Sequence, residues 1–144
     1  MNEKNSIKLE YEILQNDFTR AGEASSSIKK ILKQLGIDAK IVRRVAIAAY
    51  EAEMNIVIHS YGGVIKAIIT EQYVDIYATD KGPGIKDIEL AMKEGYSTAP
   101  NHIRELGFGA GMGLPNMKRC SDEFNIESTP NGKTEVHMRI YINK

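Results

Sequence analysis

Apolar and polar residues alternate in IKLEYEI (7–13), the period of a strand with one buried face. The pattern then lengthens to a helical one. DFTRAGEASSSIKKILKQLG (17–36) carries Ile28, Ile31, Leu32 and Leu35 on one stripe, and Gly36 ends it. Asp38 stands where an N-cap belongs and opens a second helix, predicted to run to about His59 before Gly62 and Gly63 break it. Alternation returns in VIKAIIT (64–70) and YVDIYATD (73–80), two strands joined at Glu71-Gln72. DKGPGI (80–85) is a turn cluster, and residues 86–94 are predicted to form a short helix. From Gly95 to Gly111 no regular element is predicted. A helix starts near Met112 and runs to about Ser121. EFNIEST (123–129) and TEVHMRIYI (134–142) are the last strands, with the hairpin signal Asn131-Gly132 between them. The order β-α-α-β-β-loop-α-β-β predicts an α+β, two-layer fold: a mixed, mostly antiparallel sheet with helices on one face, in a single domain spanning 1–144.

Composition changes this picture little. The chain has 144 residues, 19 Lys+Arg and 19 Asp+Glu, so its formal charge is +0. That balance gives no overall bias toward nucleic acid or an anionic membrane. The single cysteine, Cys120, makes no internal disulfide and fits a reducing compartment. No window approaches the ~20 apolar residues of a membrane span, and a cytoplasmic location is expected.

Four stretches carry candidate chemistry. On the second helix, Ile41, Val45, Ala48, Ala52, Asn55 and His59 share one stripe that turns polar at its end, with Glu51 one turn before Asn55. A fraying helix end would give the same pattern. Alternatively, the Asn55 carbonyl oxygen suits a hard cation such as Mg²⁺, and Glu51 can orient or deprotonate a hydroxyl. His59 fits either a site residue or a packed, hydrogen-bonded histidine. The second stretch is Asp80-Lys81-Gly82-Pro83-Gly84-Ile85, where a carboxylate at a strand end could accept from an exocyclic amine, although Asp and Gly are also the commonest turn formers. The third is GFGAGMG (107–113), whose four glycines precede a helix and expose N–H groups to an anion, with His102 and Arg104 in the loop before it. A hinge would look alike. The fourth is Gly132-Lys133-Thr134. It is no P-loop, because Glu127 stands where that motif needs glycine and a strand follows. A dinucleotide fingerprint fails too: the glycines come late, and Met112 occupies its last position.

In order and spacing the four resemble the GHKL ATPase superfamily, the nucleotide-binding fold of gyrase and the histidine kinases. Glu51-Ala-Glu-Met-Asn55 looks like its N-box, Asp80-Lys-Gly82-Pro-Gly84 like its first glycine box, and Gly109-Ala110-Gly111-Met112-Gly113 like its second. Thr134 matches the threonine that partners the adenine-binding aspartate. The chain's length and NIVIHSYGG after the N-box resemble the stand-alone anti-sigma factor and stress-switch serine/threonine kinases of bacterial partner switching. The resemblance implies a Bergerat-type fold and ATP with Mg²⁺ as cofactors. Asp80 and Thr134 would bind adenine, with Gly82, Gly84 and Ile85 beside them. Asn55 would hold Mg²⁺ and Glu51 act as the catalytic base. Gly109, Ala110, Gly111, Met112 and Gly113 would face the phosphates with Arg104, under a lid over 95–108. It also implies a small antagonist-type (STAS-like) substrate protein, a sigma factor or phosphatase as regulated target, and a homodimer in which Tyr11, Ile13 and Phe18 fit either an interface or the core. One departure stands out. Kinases of the anti-sigma type carry a basic residue just ahead of the second glycine box, where this chain reads Gly107-Phe108 and its nearest basic residue is Arg104. The other reading of the same fold is a module that sequesters or activates a partner with little phosphoryl transfer.

Overall fold

The computed structural model describes residues 6–84, 88, 92, 113–129 and 132–142. Within them lie strands β1 (Ile7–Ile13), β2 (Gly63–Ile69), β3 (Tyr73–Asp80), β4 (Glu123–Ser128) and β5 (Thr134–Tyr141). The helices are α1 (Glu23–Gln34), α2 (Ala39–His59) and α3 (Gly113–Cys120). The sheet runs β1-β2-β3-β5-β4, and every neighbouring pair is antiparallel. The predicted helix over 86–94 and the loop over 95–111 fall almost wholly outside the described residues, as does the lid.

Strand alternation sorts the sheet into two faces. Ile65, Ala67 and Ile69, Val74, Ile76 and Ala78, and Val136, Met138 and Ile140 are buried on the face that meets the helices. α2 lies across this face, and its inner side is made of small residues: Ala48, Ala49 and Ala52 are fully buried or nearly so. Small side chains let α1, α3 and the sheet all approach one helix closely. Ile13 is buried and Tyr11 and Phe18 pack against the same core, with the Tyr11 hydroxyl 2.8 Å from Ser27 Oγ on α1. These residues therefore serve the core.

The first helix is shorter than its pattern predicts. Residues 18–22 form turns, and α1 begins at Glu23 because Gly22 takes a left-handed conformation (φ 98°) at the N-cap and offers no side chain to the orphan N–H groups. Glu53 of α2 fills that role. Its carboxylate, in a residue only 2% exposed, accepts from the N–H groups of Gly22 (3.0 Å), Ala24 (3.3 Å) and Ser25 (3.1 Å). Asp38, by contrast, caps α2 as predicted, accepting from Lys40 N–H at 2.8 Å.

The other sheet face is polar and ordered. Asp75 of β3 is 3% exposed and accepts from both Arg139 Nε and Nη2 at 2.8 Å, with His137 Nε2 at 3.0 Å. Tyr77 stacks on His137 with ring centroids 4.3 Å apart, and the Arg139 guanidinium lies 3.9 Å over the Tyr73 ring. Cross-strand pairing places these side chains opposite one another.

Candidate functional site

α2 carries Glu51 and Asn55 one turn apart, both half-buried. α3 begins at Gly113 against Glu51: a Cβ added there would sit 3.3 Å from Glu51 Oε2. At the other end of the seam, Arg44 donates from Nε to the Cys120 carbonyl at 3.1 Å and pairs with Asp122 Oδ1 at 3.1 Å. The start of α3, with the positive end of its dipole, is thus fixed beside the Glu51 carboxylate. Burial raises the Glu51 pKa, and a hydrogen bond from Asn116 of α3 partly offsets this. A carboxyl with a raised pKa is a better proton acceptor when ionised. Burial also lowers the His59 pKa, favouring its neutral form.

The end of α2 is tied to the turn after β3. Tyr61 N–H donates to the Gly82 carbonyl and Lys81 N–H to the Gly62 carbonyl, both at 2.9 Å. Within that turn Asp80 Oδ1 accepts from Gly82 N–H at 2.8 Å and from Thr134 N–H at 3.0 Å, and neither bond uses Oδ2. The Thr134 side chain turns elsewhere, with its hydroxyl 2.7 Å from Ser128 Oγ. Gly82 and Gly84 have positive φ of 113° and 87°. A Cβ on Gly84 would meet Thr129 O at 2.2 Å, and one on Gly82 would meet Gly132 O at 2.9 Å. These glycines therefore let the turn after β3 pass against the turn between β4 and β5, a reason internal to the protein that the sequence pattern does not disclose.

Of the sequence-predicted residues, the structure brings Gly113 against Glu51, with Asn55 one turn on along α2. It joins Asp80, Gly82, Gly84 and Thr134 around the turn after β3, with residues 60–62 linking the two groups. Ile85, Arg104, Gly109, Ala110, Gly111 and Met112 lie outside the described residues, as does His102. Sequence reasoning missed Asn116, Ser128 and Glu53. Glu53 alone had a signal, being a charged residue on an apolar stripe of α2.

A family model described as the histidine kinase-like ATPase domain matches residues 14–140. The chain belongs to that family. It is 34% identical over 124 residues to the anti-sigma F factor of Thermoanaerobacter sp. (strain X514), covering 83% of both chains. It is 34% identical over 115 residues to the serine/threonine-protein kinase RsbT of Bacillus subtilis (strain 168), covering 75% of this chain and 78% of that one. Among solved structures, a chain of the SiaB–SiaC complex from Pseudomonas aeruginosa aligns over 92% of this chain and 88% of its own with a TM-score of 0.64 at 13% identity. The RsbU and RsbW domains of Rv1364c from Mycobacterium tuberculosis align over 92% of this chain with a TM-score of 0.62 at 17% identity, this chain spanning 32% of that longer one. At such identities these two attest the fold alone, whereas the family and the curated relatives carry ATP binding and kinase chemistry in general. Among the described residues no helix is long and apolar enough to cross a membrane.

Proposed function

We propose that this protein is an ATP-dependent serine/threonine kinase of a bacterial partner-switching system, acting on a small antagonist-type, STAS-like protein. The observation that carries this reading is the placement of the Glu51 carboxylate, with Asn55 one turn on, at the start of α3. In the reaction, a serine or threonine hydroxyl oxygen forms a bond to the γ-phosphorus as the bond to the bridging β,γ-oxygen breaks and ADP leaves. The hydroxyl proton passes to Glu51. Phosphoryl transfer asks mainly for positioning and charge stabilisation, which a small set of groups can supply. Asp80 offers Oδ2 to the adenine amine while its other oxygen is held by Thr134 and Gly82 N–H groups.

The donor set also fits Mg²⁺. Among the described residues no cluster of three or more His, Cys, Asp or Glu side chains forms an all-protein cage. A single amide oxygen at Asn55 beside a carboxylate suits an ion that takes its remaining ligands from water and phosphate. Asn55 would hold the ion, whose charge when bound offsets that of the triphosphate.

The name of the anti-sigma F factor relatives favours a second reading, in which the ATP-bound chain chiefly sequesters a sigma factor. One experiment separates the two. The protein is incubated with γ-labelled ATP, Mg²⁺ and STAS-like proteins in turn, alongside Asp80→Asn and Glu51→Gln. Label on a STAS-like serine or threonine, lost in Glu51→Gln although that variant still binds ATP, supports the kinase. A stable complex without label supports sequestration. Wild-type ATP affinity in Asp80→Asn refutes the adenine assignment.

A further inference from the structure

The helix-facing sides of β3, β5 and β4 are apolar along most of their length and turn polar at one end. Asp80 closes β3 two positions after the buried Ala78. Thr134 opens β5 two positions before the buried Val136. Ser128 closes β4 two positions after Ile126, which packs against the same core. Side chains two apart on a strand share a face. The three strands are adjacent in the sheet, and Ser128 pairs directly with Thr134. Asp80, Thr134 and Ser128 therefore form one polar row, at the end where the turn after β3 meets the turn between β4 and β5.

The bonds along this row are divided between backbone and side chain. Asp80 Oδ1 accepts from Thr134 N–H at 3.0 Å and from Gly82 N–H at 2.8 Å. The Thr134 hydroxyl, in a residue only 3% exposed, lies 2.7 Å from Ser128 Oγ. Thr134 thus meets Asp80 with its backbone and Ser128 with its side chain. A buried hydroxyl seldom stays without a partner. Without the hydroxyl of Ser128, that of Thr134 would have to turn to another acceptor, and the Asp80 carboxylate already sits on the same residue's N–H. An ionised carboxylate is acceptor-only, with about four lone-pair positions on its two oxygens. A threonine hydroxyl donated there competes with the adenine amine for them.

We infer that Ser128 is a positioning residue for the nucleotide base: its hydroxyl engages that of Thr134, so that Asp80 keeps Oδ2 for the adenine amine. This rests on the reading of Asp80 as the adenine acceptor. Ser128 acts through Thr134, and what it contributes is a hydroxyl. Threonine at 128 keeps that group and alanine removes it.

The test measures binding, not transfer. Calorimetry gives Kd for ATP with Mg²⁺ and for purine riboside 5′-triphosphate, which is ATP without its 6-amine. The proteins are wild type, Ser128→Ala, Ser128→Thr, Thr134→Val, Ser128→Ala combined with Thr134→Val, and Asp80→Asn. A hydrogen bond to a charged group is worth about tenfold in affinity. Ser128→Ala should weaken ATP by about that much and leave purine riboside triphosphate within about twofold, because only ATP carries the amine. Ser128→Thr should bind ATP as wild type does. In the Thr134→Val background there is no hydroxyl to redirect, so adding Ser128→Ala should cost nothing further. Should alanine unfold the hairpin, Ser128→Cys makes the same comparison, with a side chain near serine in size and a weakly bonding thiol. Unchanged ATP affinity in Ser128→Ala overturns the inference. So does an equal loss for both nucleotides, or a loss that persists beside Thr134→Val, since either makes Ser128 a support of the hairpin alone. If Asp80→Asn loses ATP while Ser128→Ala does not, the adenine assignment stands and only this inference fails. If Asp80→Asn binds ATP as tightly as wild type, the assignment fails first and the inference falls with it.

Discussion

Replacing the buried Glu53 with alanine should destabilise the protein markedly. The carboxylate does for α1 what an N-cap side chain would do, three times over: it accepts from Gly22, Ala24 and Ser25 N–H groups at 3.0, 3.3 and 3.1 Å. One capping bond is worth about 1 kcal/mol, and alanine in its place usually costs that much. A negative charge at a helix start adds roughly 0.3–1 kcal/mol. Two effects limit the loss. Alanine no longer has to bury a carboxylate, which returns a fraction of this loss. A cleft of about 300 Å³ also borders the site, lined by residues 10–14 of the β1 edge together with Asp17, Arg20, Ala24 and Glu53, so water can reach part of what Glu53 leaves bare. The net expectation is about 3 kcal/mol, which for a domain of this size lowers Tm by roughly 10 °C. Urea titration gives the free energy, and amide hydrogen exchange gives its location: Gly22, Ala24 and Ser25 should lose protection before the β3–β5 core does. A loss under about 1 kcal/mol, or unchanged exchange at those three amides, would refute the capping role.

Two further expectations concern the site itself. Gly84→Ala should cost clearly more than Gly36→Ala by urea titration. Both residues have positive φ, which strains any L side chain by about 1–2 kcal/mol, but a Cβ at 84 meets Thr129 O at 2.2 Å while one at 36 meets nothing within 4 Å. Equal losses would disprove the steric reason for the first glycine box. Glu51→Gln should raise Tm at pH 7. Burial raises the Glu51 pKa above its ordinary 4.5, so the folded state holds the proton more tightly than the unfolded chain. The stability tied to the protonated form is full below pH 4.5 and is lost as pH rises through the folded value. The gain from glutamine should therefore shrink as pH falls toward 4, and a gain independent of pH would mean that charge burial is not its cause.

Much of the fold was legible because each strand and helix carries its own period. β1, β3 and the N-cap of α2 fall where the alternation and Asp38 placed them. What the local patterns did not disclose was tertiary in cause. The stretch 17–22 reads as helix, yet α1 waits for Gly22 because its cap arrives from another helix. Gly82 and Gly84 read as a ligand-facing turn, yet on their described side they face the protein's own backbone. Thr134 was matched to Asp80 through a hydroxyl or a water; the structure adds a direct bond from its backbone N–H, and its hydroxyl meets Ser128. In each case the deciding atom belongs to a segment far away in sequence, which no pattern within one element can contain.

Glu51 and Glu53 show how far a helical pattern alone can separate two residues of the same type. Two positions apart, they point to nearly opposite sides of α2. Glu51 lies one turn from Ala48 and Asn55, on the side that turns polar toward the start of α3. Glu53 lies one turn from Ala49, Ile56 and Val57, all buried, and a carboxylate among them cannot be left without partners. Periodicity therefore says that Glu53 must meet donors from outside its own helix, though not which ones, and the orphan N–H groups of a helix whose cap is glycine are donors of that kind. The same logic separates the roles. A carboxylate satisfied by three fixed N–H groups has its lone pairs committed and is poorly placed to accept a substrate proton. Glu51 is half-buried and its pKa is raised by burial, which is what the proposed base asks for. Of the two glutamates in the motif, one caps α1, and the proposed chemistry falls to the other.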